Sequence, residues 1–339
     1  MNQTTFQIGT LPHGPRNNIA DVPGVRVGHF TLDTDIHKTG VTVVMPPVKN
    51  PFLEKMTAAC HVVNGFGKTL GLMQLEELGS LETPIALTNT MNVGKIHDAI
   101  VEYMLDICRR DGIELVSVNP VVAECNDSLL NDVSHRDLGR DELFAAIESA
   151  SADFAEGDVG AGKGMTCHSL KGGIGSASRV IELDGEKFTV GVLALTNHGK
   201  LSDLRLPGME DFGRDLAYRL ANDAPDKGSC ILILATDLPV DSRQLLRIIR
   251  RCPVGLVRLG SYFGHGSGEA VIGFSTADPI RQREPNNIVT KRVMNEHRMD
   301  LPFRAAAEAA EEAILCSLLA AQTVAGYRGR EKKGLREYL

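Results

Sequence analysis

Apolar and polar positions along this chain fall into blocks that read in turn as strands and helices. Val25 to Phe30 alternates after the Pro23-Gly24 turn and predicts a strand. Residues 40–45 predict a second, closed by Pro46-Pro47. The segment 62–68 opens a helix expected over 69–78, with Leu70, Met73, Leu75 and Leu78 apolar. A short strand at 84–88 precedes a helix over 96–110. That helix carries Ile100, Tyr103, Met104 and Ile107 at helical spacing and is stopped by Gly112. Residues 115–122 read as a strand interrupted by Pro120, and 123–127 as a polar loop. A helix over 141–156 has Asp141 as its N-cap. Strands follow around 179–181 and over 188–196, the latter leading into Asn197-His198-Gly199. Residues 201–226 read as a polar linker. The run Ile231-Leu232-Ile233-Leu234-Ala235 reads as a strand buried on both faces. Asp241-Ser242 caps a basic helix to Arg251. Strands are expected at 254–259 and 270–274, with a glycine-rich turn at 264–269 between them. An alanine-rich helix spans 302–325, and the charged tail from Tyr327 is expected to fray. Strands and helices alternate throughout, which predicts a mixed α/β protein.

Composition narrows the function. The 339 residues, 43% of them hydrophobic, suffice for one large domain or two smaller ones, and the chain is read as a single catalytic domain. A net charge of -7 with both signs interspersed gives no basic patch, so no nucleic-acid partner is expected. No apolar run is long enough to span a membrane. Met1 to Pro15 lacks the apolar stretch of a secretory signal. Seven dispersed cysteines without a CxxC pair suggest reduced thiols and a cytoplasmic location.

The candidate chemistry centres on Asp226-Lys227-Gly228-Ser229-Cys230, where a polar turn enters the buried strand. Ser229 has two readings: a turn serine before a strand, or a nucleophile released when the chain cuts its own Gly228–Ser229 bond. In the second, Ser229 becomes an N-terminus whose α-amine, with a reference pKa of about 7.7–8.0, serves as its own base. Glycine before the cut lets the backbone bend the hydroxyl onto the preceding carbonyl. Four further residues stand at strand ends or turns: Asn197, Ser267, Glu269 and Glu124. Each also has an ordinary reading: turn former, loop serine, exposed acid and salt-bridge acid. Residues 157–164 have the spacing of a phosphate loop, but Gly164 stands where Ser or Thr is required, and a helix precedes it where a strand belongs. The 10 histidines form no H-E-x-x-H or H-x-x-E-H pattern, so no metal or other cofactor is expected.

Taken together, these pieces resemble a known family. From about Asn17 to Ala325 the chain is similar to the self-processing N-terminal-nucleophile aminopeptidases typified by L-aminopeptidase D-Ala-esterase/amidase, which include the β-peptidyl aminopeptidases. The likeness is carried by Asn18-Ile19-Ala20-Asp21-Val22-Pro23-Gly24, Lys38-Thr39-Gly40-Val41, Val63-Asn64-Gly65-Phe66-Gly67-Lys68, Lys171-Gly172-Gly173-Ile174-Gly175, Gly228-Ser229, and Gly266-Ser267-Gly268-Glu269. The resemblance implies a four-layer α/β/β/α sandwich. It implies cleavage into residues 1–228 and 229–339, assembled as a homotetramer of cleaved heterodimers. Ser229 would be the nucleophile, Asn197 the oxyanion donor, and Ser267 with Glu269 the pair that orients it and assists self-cleavage. Glu124 would hold the ammonium of a small peptide, aminoacyl amide or ester. Asn126 stands two residues after that acid, where the D-Ala-esterase/amidase type has tyrosine, a departure on the side of substrate specificity.

Two rivals share the fold. An acyltransferase of the ornithine acetyltransferase type resembles a scheme with threonine as nucleophile, which Ser229 opposes. A non-catalytic scaffold would keep the fold and give a single band on a denaturing gel.

Overall fold

The computed structural model describes residues 6–222, 224–225 and 227–339. Fourteen strands occur among them: β1 (Arg26–Asp33), β2 (Lys38–Met45), β3 (Glu54–Gly65), β4 (Ser80–Leu81), β5 (Ile85–Asn89), β6 (Val121–Cys125), β7 (Thr166–Cys167), β8 (Leu170–Lys171), β9 (Gly173–Leu183), β10 (Glu186–Asn197), β11 (Lys227–Thr236), β12 (Gly266–Arg281), β13 (Val324–Ala325) and β14 (Glu331–Lys332). Seven α-helices accompany them: α1 (Leu72–Glu77), α2 (Val93–Arg110), α3 (Arg140–Glu148), α4 (Phe212–Arg219), α5 (Ser242–Ile249), α6 (Pro253–Arg258) and α7 (Asp300–Ala320).

Two sheets form the middle of the molecule. One has the order β1-β2-β5-β6, the other β4-β3-β12-β11-β10-β9. Their facing sides share a core of Val27, Val44, Ile85, Leu87, Ala123, Leu193, Leu195, Ile231 and Ile233. Outside the first sheet, α2 and α3 lay Ile96, Ile100, Met104 and Leu143 on Val41, Val43 and Val122. Outside the second, α4 to α7 pack on Val192, Leu232, Leu234 and Val271. The result is the expected helix–sheet–sheet–helix sandwich. β11 shows why its sequence is an unbroken apolar run. Ile231 and Ile233 face the other sheet while Leu232 and Leu234 face helices, so both pleat faces are buried. Its pairing with β12 is parallel, and α5 and α6 make the crossover such a pair requires.

The helix α7 is buried nearly throughout. It lies so close to the sheet that a Cβ on Gly175 would meet the Ala313 carbonyl oxygen at 2.1 Å. Its acids are neutralised inside: Arg179 Nε lies 3.2 Å from Glu308 and Nη2 2.7 Å from Glu312.

Several expectations need correction. Residues 254–259 are not a strand, because α6 begins with Pro253 in its first turn and buries Gly255 and Leu256 on one side. The expected helix at 69–78 shrinks to α1, since Val62 to Gly65 belong to β3. Pro120 excludes the residues before it, so β6 starts at Val121 and includes Glu124, which is not in a loop. α3 ends at Glu148, eight residues early. The 201–226 linker carries α4 and buries Leu201, Leu204, Leu206 and Leu216. Ser267 and Glu269 belong to β12, not to a turn. The tail is held too: β13 and β14 pair, Leu335 is buried, and Arg336 Nε donates to the Leu319 carbonyl at 2.7 Å. In keeping with the sequence argument against a phosphate loop at residues 157–164, Lys163 is spent on Asp33 at 2.8 Å and Asp158 at 3.0 Å.

Candidate active site

The Gly228–Ser229 peptide lies at the start of β11, between β10 and β12. Ser229 is directly opposite Asn197 in the antiparallel register, so the two side chains leave the sheet on one face. The sequence separates them by 31 intervening residues, and the hairpin-like return from β10 to β11 closes that distance. Gly228 has φ +139, and a Cβ there would meet the Asn197 carbonyl oxygen at 1.7 Å. Only glycine fits. Ser229 is 5% exposed, and its hydroxyl donates to the Gly228 carbonyl oxygen at 2.6 Å. Asp226, at the head of the expected turn, lies outside the described residues.

Asn197 is fixed from two sides. Its side-chain oxygen accepts from the Thr166 N–H at 2.9 Å, and its amide donates to the Asn126 carbonyl at 3.0 Å. The second amide hydrogen is the one that an oxyanion could receive. The Asn126 side chain is exposed and accepts the Ser128 N–H at 3.0 Å. Its contribution to the site is through its main chain.

The parallel register of β11 and β12 sets Ser267 beside Gly228 and Glu269 beside Cys230, so the pair flanks the 228–229 peptide from the adjacent strand. The Ser267 hydroxyl donates to Glu269 Oε1, and both residues are buried. Two residues apart on one strand, they share a face as the strand period requires.

Glu124 arrives from the other sheet, at the end of β6. It is 2% exposed, and its carboxylate accepts from the Lys68 N–H at 3.0 Å and from the Thr90 hydroxyl. Among the described residues no arginine pairs with it, which removes the salt-bridge reading. The Cys125 thiol shows how near the two sheets' acids come. Burial pushes it well up, and the charges of Glu124 and Glu269 push it further. Beside the site, burial raises the Asp127 carboxyl to about 7 against hydrogen bonds from Thr39 and Asn131.

Thr90 and the Lys68 main chain were not singled out in the sequence, whereas Thr166 lies in Met165-Thr166-Cys167, a segment that shares the family resemblance. Lys68 does sit in the Val63-to-Lys68 segment that carries the resemblance. Thr90 closes Thr88-Asn89-Thr90, a polar cluster ending a strand, which is the one local signal it gives.

The site therefore offers a hydroxyl against a bent peptide, an amide facing it and a buried acid on the opposing sheet. Comparison with known proteins agrees. The profile of Peptidase family S58 matches residues 17–332. The chain is 36% identical over 340 residues to the beta-peptidyl aminopeptidase BapA of Sphingosinicella microcystinivorans, covering 93% of this chain and 84% of that protein. It superposes on the PH0078 protein of Pyrococcus horikoshii OT3 with a TM-score of 0.91 at 42% identity, covering 98% of this chain and 94% of the other. The L-aminopeptidase D-Ala-esterase/amidase of Ochrobactrum anthropi, a serine aminopeptidase with a variant of the Ntn hydrolase fold, superposes with a TM-score of 0.89 at 30% identity over 97% of this chain and 94% of that one. No helix among the described residues is long and apolar enough to cross a membrane. With the profile spanning nearly the whole chain, the chain belongs to peptidase family S58 and is a serine aminopeptidase of the N-terminal-nucleophile type.

Proposed function

We propose that the chain cuts itself between Gly228 and Ser229 and then removes N-terminal residues from small peptides, amides or esters. The observation that carries this is the Ser229 hydroxyl lying 2.6 Å from the Gly228 carbonyl oxygen across a residue with φ +139. In the first step Ser229 Oγ attacks the Gly228 carbonyl carbon. The C–N bond breaks, the hydroxyl proton passes to the departing nitrogen, and an ester joins the two parts. Water then hydrolyses the ester and leaves a Gly228 carboxylate and a free Ser229 amine. Ser267 and Glu269, flanking this peptide, orient it.

In turnover, Ser229 Oγ attacks the substrate carbonyl and its own α-amine takes the proton. The Asn197 amide steadies the oxyanion. The leaving amine carries the proton away, and water releases the acyl group. Glu124 receives the substrate ammonium, which makes the enzyme read a free N-terminus. Similarity to the beta-peptidyl aminopeptidase supports β-amino N-termini among the substrates. Asn126, in place of tyrosine, supports a specificity unlike that of the D-Ala-esterase/amidase. Threonine is absent from the nucleophile position, so the acyltransferase reading gains nothing.

The processed chain works, in this reading, as a homotetramer of heterodimers in the cytoplasm. Unpaired cysteines support a reducing compartment. Exposed Met73, Leu78 and Phe66 support burial by neighbouring subunits. Mass spectrometry of the purified protein tests the core of the proposal. A fragment beginning at Ser229 is expected, and Ser229→Ala should stay intact and inactive. An intact wild-type chain with full activity overturns self-cleavage.

A further inference from the structure

Hydrolysis leaves a second cluster of reactive side chains unused. Cys167 ends β7, His168 follows it, and His198 follows Asn197 at the end of β10. All three are buried. Cys167 Sγ lies 3.8 Å from His198 Nδ1, and the rings of His168 and His198 meet edge to face with centroids 5.4 Å apart. One donor atom from each residue lies within 4.8 Å of the other two. In a tetrahedral zinc site, bonds of about 2.3 Å to sulfur and 2.0–2.1 Å to nitrogen place such atoms about 3.3–3.6 Å apart. A contraction of roughly an ångström closes the cage on that geometry.

Two details favour ligation over simple packing. His168 Nδ1 is 2.9 Å from the Lys200 carbonyl oxygen. A carbonyl only accepts, so Nδ1 carries the hydrogen and Nε2 of the neutral ring carries the lone pair. Metal-bound histidines are oriented by this kind of outer hydrogen bond. His198 turns Nδ1 toward Cys167 Sγ, so Nδ1 is the nitrogen placed to ligate. The link between β7 and β8 also holds His168 and Ser169 at φ +48 and +62, an uncommon backbone for residues with a Cβ.

We propose that Cys167, His168 and His198 form a three-ligand site for a thiophilic divalent metal ion of the zinc class, with the fourth position left to solvent. On binding, a metal–sulfur bond replaces the S–H bond of Cys167, and the proton goes to bulk water. The ion takes no part in peptide hydrolysis. Its effect is positional. Cys167 follows Thr166, whose N–H holds the Asn197 side chain, and His198 follows Asn197 itself. An ion joining Cys167 to His198 therefore ties together the two segments that fix that amide. All three ligands precede residue 228, so a cut there would leave the whole ligand set on one fragment.

Cobalt(II) titration of the chelator-stripped, full-length protein tests the site. A thiolate-to-cobalt charge-transfer band with the strong d–d bands of a tetrahedral centre is expected, saturating at one ion per chain and displaced by zinc. Cys167→Ser should abolish the band, and His168→Gln or His198→Gln should weaken cobalt binding about tenfold or more. Cys60→Ser, at a half-buried thiol on β3, should leave it intact. No charge-transfer band in the wild type, or an unchanged band in Cys167→Ser, overturns the proposal. If circular dichroism shows that Cys167→Ser does not fold, an unchanged affinity in a folded His198→Gln overturns it equally.

Discussion

Two buried acidic centres in this molecule solve the same electrostatic problem in opposite ways. Under α7, Glu308 and Glu312 meet Arg179, whose side chain is wholly buried and also donates to the Ser178 and Ile8 carbonyls. At the junction of the sheets, Glu124 is just as inaccessible, but its carboxylate is held by an N–H and a hydroxyl, with no cationic side chain paired to it among the described residues. Burying a carboxylate is costly unless it is paired or hydrogen-bonded. The first centre brings its counter-charge with the fold and needs nothing from outside. The second is held by dipoles among the described residues, so it gains most when a cation arrives, and in the proposed function the substrate ammonium supplies it. A buried acid's partners, not its burial, thus distinguish the two centres.

Three experiments press on this contrast, from the largest effect to the smallest. Replacing the structural cation should do the greatest damage. Arg179→Met removes the buried cation from two buried acids, leaving Glu308 to Arg304 and the Thr10 and Leu11 N–H groups and Glu312 to Asn17 and His13, and should lower stability by about 3–5 kcal/mol. Chemical denaturation reads the loss, and a change below about 1 kcal/mol would erase the distinction between the centres.

Glu124→Gln should leave the fold and the Gly228–Ser229 cleavage intact while raising the barrier for free-amine substrates by about 2–4 kcal/mol. Comparing kcat/KM for an aminoacyl amide and its N-acetylated form decides this, because an equal loss on both means that the acid does not read the amine. Ser267→Ala and Glu269→Ala should each slow self-cleavage more than about tenfold, or about 1.4 kcal/mol of barrier. The rate at which fragments appear after synthesis measures it, and normal maturation in both would reduce the pair to packing.

A further test, read per pH unit, concerns Asp127, another buried acid, whose carboxyl burial raises from 3.8 to about 7. Between these values the unfolded chain has lost the proton that the folded chain keeps. This group's contribution to stability therefore falls as pH rises from about 4 to 7, by at most about 1.4 kcal/mol per pH unit. Asp127→Asn should flatten that part of the stability profile, and an unchanged slope would show that the carboxyl is ionised throughout.

The sequence by itself determined a good deal. Period-two alternation marked β1 and the doubly apolar run marked β11 as central, because burial on one or two faces writes itself into local spacing, whereas Gly228-Ser229 kept two readings until the family resemblance favoured one. The pairing of Ser267 with Glu269 was also legible, since two residues on one strand share a face whatever surrounds them. Where short apolar runs lack a period, the reading failed. Val254 to Leu259 could be strand or helix, and Pro253 with the packing of α6 on α7 decided for helix. Likewise nothing near Leu201 to Leu216 tells that those leucines reach a core. Only the tertiary structure chose which strand ends meet. It set Asn197 opposite Ser229 through the β10–β11 register, and it brought Glu124 at the end of β6 to the Thr90 hydroxyl after β5 and the Lys68 N–H after β3 of the other sheet. The physical reason is range. Side-chain periodicity records which way a residue faces, whereas its partner across a sheet depends on crossovers and layer packing fixed by residues far along the chain.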